Sequence, residues 1–310
     1  MATTTSITTT YAGEFAGKYI SAALLSADTI EGGGITIKPN VKYKEVLKTL
    51  STDAIVKDAT CDFSDTSTLT LAEKILQPEE FQVNLELCKK DFHNDWEAIS
   101  MGYSAFDELP SNFADYLIGH VAAKVAQKTE QTIWTGATAN AGEFNGFGAL
   151  LAADADVVDV TAVVGGITAA NVIDELGKVV DAIPTSVYGK EDLYIYVPQQ
   201  VARAYVRALG GFGASGLGAN GVASQGTTWY NGGDLAFDGV KIFVASGMAN
   251  NTMVAAQKSN LFFGTGLLAD HNEVKLLDMA DLDGSQNVRV VMRYTAGVQI
   301  GIGADIVYYA

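Results

Sequence analysis

The sequence predicts an α+β fold, and three observations carry that prediction. Residues 111–136 read as one long amphipathic helix, an extended segment of strict alternation precedes it, and a block mixing helical and strand periodicities follows it. The order of these elements says more than any one of them.

Residues 1–50 mix Thr, Gly and Ala, with a short helix expected around residues 12–25 and a basic run of Lys38, Lys42, Lys44 and Lys48. This stretch lacks sustained periodicity and is expected to be an arm. Over residues 52–87 the pattern becomes strand-like. Residues 61–71 alternate, residues 81–87 alternate without fault, and a turn-rich acidic centre separates them. Phe81, Val83, Leu85 and Leu87 point one way, and Gln82, Asn84 and Glu86 the other. The expectation is a projecting β-hairpin made of these two runs. A lone hairpin is marginal in water, so it must lie on something, and another subunit would serve.

On the long helix, Phe113, Leu117, Val121, Val125 and Ile133 recur near helical spacing, widened by Ala114, Ile118 and Ala122. Lys124, Gln127, Lys128, Glu130 and Gln131 are expected on the wet face. Ser111 or Asn112 suits the N-cap, Asp115 suits the first turn, and Gly136 is placed as a left-handed terminator. At 1.5 Å per residue the helix spans roughly 35 Å.

Beyond a glycine-punctuated loop over 142–151, a helix starts at Thr168, carries Val172, Ile173, Leu176, Val179, Val180 and Ile183, and stops at Pro184. Residues 193–197 form a buried strand, and Pro198 opens a helix through Val201, Tyr205 and Leu209. Residues 210–233 are glycine-rich. Asp238-Gly239 marks a hairpin turn between 235–237 and 240–244, and strands are expected at 273–277, 288–294 and 297–309.

Composition limits the function classes. The chain has 310 residues, 48% hydrophobic and 18% charged, with a net charge of -16. Such acidity disfavours general affinity for nucleic acid through phosphate neutralisation, and the polar, threonine-rich start lacks the features of a secretory signal. No apolar run approaches membrane-spanning length, so no membrane partner is expected. Two cysteines, Cys61 and Cys88, are too few for a disulfide framework.

Catalytic equipment is hard to find. His93, His120 and His271 lack metal-ligand spacing, there is no Gly-x-Ser-x-Gly elbow, and Glu79-Glu80 and Asp107-Glu108 read as solvated charge. Gly211, Gly213 and Gly216 with Asp234 fit a dinucleotide fingerprint in spacing. They follow a helix and enter more glycine, however, whereas the fingerprint must follow a strand and open a helix. The expectation is no enzyme, no cofactor and no metal. A large, acidic, well-packed chain of this kind suits a structural protein that assembles.

The ordering then resembles a known family, the major capsid proteins of tailed double-stranded DNA bacteriophages, whose fold is shared by encapsulins. The segments most similar to it are residues 124–136, 235–248 and 287–301. The resemblance implies an N-terminal arm (1–50), an extended hairpin loop (51–92), a peripheral domain (93–149 and 264–310) with a spine helix (112–135), and an α/β axial domain (150–263). It further implies self-assembly into pentamers and hexamers of an icosahedral shell around packaged DNA, in a virion assembled in the host cytoplasm. Lys57, Lys74, Glu79, Glu80, Phe81, Val83 and Leu85 are the implied intersubunit contacts, and Lys38, Lys42, Lys44 and Lys48 the implied basic arm. Some members crosslink a hairpin lysine to a neighbour's asparagine; Lys57 or Lys74 with Asn272 or Asn287, beside Glu273, would be the groups here. Expected partners are copies of itself, a separate scaffold, a portal, decoration proteins and DNA bound without sequence preference. Two other readings stay open: an encapsulin shell around enzyme cargo, and a surface-layer or adhesin protein.

Overall fold

A computed structural model of the chain describes residues 28–52, 55–59, 61, 68–88, 111–209, 235–266, 275–280 and 284–310. The expected helix at 12–25, the glycine loop at 210–233 with Asp234, Asp107 and Glu108, His93 and His271, and the side chains of Phe113, Ala114, Asp115, Leu117 and Ile118 lie outside these described residues.

In chain order the first elements are α1 (Asp28–Glu31), β1 (Thr36–Lys38), β2 (Glu45–Thr52), β3 (Leu69–Leu76), β4 (Glu79–Cys88), α2 (Ser111–Thr135) and α3 (Phe147–Ala153). Then follow β5 (Val158–Val160), α4 (Val172–Asp181), β6 (Leu193–Val197), α5 (Gln199–Leu209), β7 (Ala236–Phe237), β8 (Val240–Val244) and β9 (Met253–Gln257). The last strands are β10 (Leu261–Gly264), β11 (Lys275–Asp278), β12 (Asn287–Ile300) and β13 (Val307–Tyr309). The chain is therefore α+β, as its periodicities predict.

β12 organises the first sheet. It alternates cleanly, with Val288, Val290 and Met292 buried and Arg289 and Arg293 exposed, so one face packs and the other is wetted. One edge pairs antiparallel with β4 from Asn287 to Ala296, and the other pairs with β11. From Gly297 to Ile300 it pairs with β10, which in turn pairs with β1. The sequence suggested a break near Gly297, but the strand runs through it. Glycine is needed there because a Cβ would lie 2.9 Å from the Gln77 carbonyl oxygen and 2.9 Å from Pro78 Cα, where the β3–β4 connection crosses.

The hairpin does not join the two alternating runs: among the described residues of the run at 61–71, only 69–71 fall in one of its strands. β2 pairs with β3, Glu45 opposite Leu76 through Thr52 opposite Leu69, whereas the run at 81–87 belongs to β4 and pairs with β12. Alternation identified the strand at 81–87 but not its partner, since pairing depends on register and long-range burial. Residues 45–50, assigned to the arm by the sequence, are one strand of the hairpin.

The second sheet runs in the order β5-β13-β9-β6-β8-β7. The β7–β8 turn is the expected one, with positive φ at both Asp238 (45°) and Gly239 (80°). α4 and α5 cover one region of this sheet, burying Val172, Leu176, Val179, Val201 and Tyr205 against Ile195, Met253 and Tyr309. A second core joins the two sheets. Ile133 and Trp134 of α2, Phe147 and Leu151 of α3, Tyr196 of β6 and Phe263 of β10 meet there, with the Trp134 ring 5.3 Å from both Phe147 and Tyr196. α3 replaces part of the loop expected at 142–151. Burial of Phe147 and Leu151 outweighs the poor helix propensity of Gly148.

Phe147→Ala should open a cavity at this junction and cost about 3–5 kcal/mol in urea denaturation of the dispersed subunit. Leu50→Ala, on the exposed hairpin, should stay within about 0.5 kcal/mol of the parent.

Candidate assembly interface

The two strands of the hairpin have unlike faces. Val46, Leu50, Leu69, Leu71 and Ile75 share one face and are between 43% and 69% exposed, interrupted by Lys48 opposite Glu73 and by Thr52 opposite Leu69. Near the root of the other face, Leu47 and Leu76 are buried; farther out it carries small residues such as Thr49 and Ala72. Ile55 and Val56, between the strands, are 66% and 87% exposed. An amphipathic ribbon therefore presents its greasy side to water.

Its root is fixed. Leu76 packs so closely on Gly264 that a Cβ there would sit 2.9 Å from a Leu76 methyl. Gln299 Nε2 donates to the Ile75 carbonyl at 2.8 Å, and Lys74 Nζ donates to Asp154 Oδ2 at 2.5 Å. That hydrogen bond holds the Asp154 carboxyl below its ordinary range, against a smaller opposing effect of burial. Lys74 is thus engaged within its own chain.

The remaining contact candidates divide by position. Lys57 lies exposed between the hairpin strands, and Glu79 and Glu80 lie exposed at the start of β4. Phe81 faces inward, 6.0 Å from Phe144 and 5.6 Å from Tyr294, and Val83 packs on the cluster of Val121, Val125, Val290 and Met292. Leu85 is 43% exposed on the same strand. Of the basic run, Lys38 is in β1, 3.2 Å from Glu45 and over the Phe262 ring, and Lys48 is in the hairpin. Lys42 and Lys44 are exposed between those strands. Asn287 donates to Glu86 at 2.7 Å; Asn272 and Glu273 lie outside the described residues. Among the described residues no group of His, Cys, Asp and Glu could hold a metal ion, and no helix is long and apolar enough to cross a membrane.

No protein-family model matches the chain and no curated protein matches its sequence. Solved structures do match it over nearly its whole length. The capsid of the native GTA particle aligns at a TM-score of 0.62 and 14% identity, covering 94% of this chain and 93% of that one. The capsid of Myoviridae phage XM1 aligns at 0.60 and 12%, covering 95% and 94%. A chain from Mycobacterium phage Ogopogo aligns at 0.61 and 14%, covering 94% of each. The fold is that of phage major capsid proteins. α2 spans the residues read from the sequence as the spine helix, and it keeps that label.

The spine helix also carries a group that sequence reasoning misplaced. Glu130, expected on the wet face, is fully buried. Its carboxylate accepts from the Thr29 amide at 3.1 Å and the Thr29 hydroxyl at 2.5 Å; that hydroxyl accepts from Trp134 Nε1 at 2.9 Å. Gly247 completes the site, because a Cβ there would lie 2.1 Å from the Glu130 carbonyl oxygen. The signal was in the spacing: Glu130 lies three and four residues before the buried Ile133 and Trp134. Burial raises the Glu130 pKa above 4.5, and the Thr29 and Gly247 hydrogen bonds only partly offset it. Lys128 and Lys124 do face solvent, Lys128 paired with Glu143. Gly136 likewise has another role than the expected left-handed terminator, since its φ is not positive and a Cβ would lie 2.4 Å from the Phe144 carbonyl oxygen.

A raised folded-state pKa means that the folded chain holds its proton to higher pH than the unfolded chain. Glu130 therefore lowers stability as pH rises from about 4.5 through the folded value. Unfolding measured across pH should show the difference between Glu130→Gln and the parent shifting in the variant's favour over that window; a pH-independent difference would contradict this. Thr29→Val should cost about 1–3 kcal/mol, because it orphans the Trp134 donor and removes one carboxylate partner.

Proposed function

We propose that the chain is a major capsid protein, assembling through copies of itself into pentamers and hexamers of an icosahedral shell around double-stranded DNA. The observation that carries this reading is the uncovered apolar face of the β2–β3 hairpin, on a subunit with a capsid fold. A two-stranded ribbon with that face in water is unfavourable; laid across an adjacent subunit, the same face contributes binding energy at every repeat of the lattice. The fold comparisons support the reading, because the similar structures include the capsids of GTA and XM1 particles.

On this reading Lys42 and Lys44 are the basic groups of the arm region available to neighbours or packaged DNA, while Lys38 helps brace the root of the hairpin. Net charge of -16 makes DNA a confined cargo more than a ligand. A scaffold, a portal and decoration proteins are the partners expected of such a shell, which would be built in the host cytoplasm and end in the virion. The role is structural, without a catalytic step.

Leu50→Asp combined with Leu71→Asp places two charges on the exposed apolar face without touching the core. The variant should fold with parental circular dichroism yet give no closed shells in negative-stain images under conditions where the parent does. Closed shells of the variant would sink the hairpin's role, and a parent that stays monomeric in all assembly conditions would sink the capsid reading.

A further inference from the structure

α5 and β8 flank a second surface with an apolar lining and exposed charge. α5 turns Arg203 and Arg207 to solvent on successive turns, and between them and β8 runs a groove lined by Gln199, Ala202, Val206 and Val244. Among the described residues Arg203 donates to Gln199 of its own helix, at 3.4 Å, and neither Arg203 nor Arg207 has an acidic partner. Two adjacent exposed arginines stand out in a chain with 20 basic and 36 acidic residues. The groove opens toward β8, on the far side of β6 from β9 and β13, the strands that α4 covers.

α4 presents the complementary surface. Its buried side holds Val172, Leu176, Val179 and Val180, while Asp174 and Asp181 face solvent beside Ile173, an isoleucine 42% exposed. Lys178, on the same side, is held by Glu175 of its own helix at 2.8 Å, so the free charge of this face is negative. One domain therefore carries an acidic helix with an exposed aliphatic residue, and a basic helix flanking an aliphatic groove.

We infer that the α5–β8 groove receives the α4 face of the next copy around a rotation axis, with Ile173 against Val206 and Val244, and Asp174 and Asp181 opposite Arg203 and Arg207. Two unlike, complementary surfaces on one subunit make a heterologous contact, which closes into a ring when the rotation allows. Nucleic acid fits the groove less well. Phosphate recognition favours cations among polar donors, whereas the lining beside these two arginines is Ala202, Val206 and Val244, with Gln199, whose amide already donates to Ser246. The inference rests on the capsid reading, since it requires copies arranged around an axis.

The test is a charge swap in the full-length chain. Arg203→Glu with Arg207→Glu should raise the protein concentration needed for rings or shells by at least roughly tenfold, and so should Asp174→Lys with Asp181→Lys. The four changes together should restore assembly to within roughly threefold of the parent, because the pairing is then re-formed with signs exchanged. Sedimentation velocity and negative-stain imaging read the assembly, and circular dichroism confirms that each exposed-site variant folds. Charge-reversed variants that assemble like the parent would overturn the inference, as would failure of the fourfold variant while it remains folded. Loss of DNA binding with unchanged assembly in the arginine variant would also overturn it, in favour of a phosphate site. A parent that never assembles would count against the capsid reading itself, which keeps the two failures distinct.

Discussion

An apolar face on a two-stranded ribbon has to be covered, and the rest of this subunit is arranged to hold that face away from its own core. Val46, Leu50, Leu69, Leu71 and Ile75 line one side of β2–β3, yet among the described residues these strands pair only with each other. Buried Leu76, the Ile75–Gln299 hydrogen bond and the Lys74–Asp154 pair fix the root to the sheet instead of folding the ribbon back. On the proposed reading, the burial that a small domain would complete internally is left for another molecule.

A projecting element transmits force only if its support is stiff. β12 supplies one support, pairing with β4 and β11 on its two edges and passing to β10 beyond Gly297. The spine helix supplies the other, and its C-terminal half is locked by the Thr29–Glu130–Trp134 hydrogen bonds and by the packing of Trp134 on Phe147 and Tyr196. A buried carboxyl is costly, and Glu130 is tolerated because Thr29 donates to both of its oxygens. The same contacts tie the segment before β1 to the spine helix.

Much of this architecture was legible in the sequence, for physical reasons that differ by element. The spine helix, the α4–β6–α5 block and the Asp238-Gly239 turn follow from local periodicity and backbone preference, which act within a few residues. The hairpin's partners did not follow, because register between distant strands is decided by which faces become buried, and β2 with Lys48 and Glu45 looks polar when read alone. Glu130 was assigned by charge to the wet face, although its spacing to Ile133 and Trp134 pointed inward; the partner that makes burial tolerable, Thr29, lies 101 residues away. β5 and β9 are short strands whose identity comes from their neighbours in the sheet. Of the candidate contacts, Phe81 and Val83 face inward on β4 and Leu85 is exposed there, while a larger set of exposed apolar residues lies earlier, in β2 and β3. An alternating strand does not reveal which molecule covers its apolar side.

Whether a neighbour covers the β2–β3 face is measured most directly by hydroxyl-radical labelling of the same preparation before and after assembly, read residue by residue by mass spectrometry. The account predicts that Leu50, Leu69, Leu71 and Ile75 label readily in the dispersed subunit and lose most of that labelling in closed shells, while already buried Leu76 stays unlabelled in both. Labelling of the four residues that is the same in closed shells as in the dispersed subunit would contradict it.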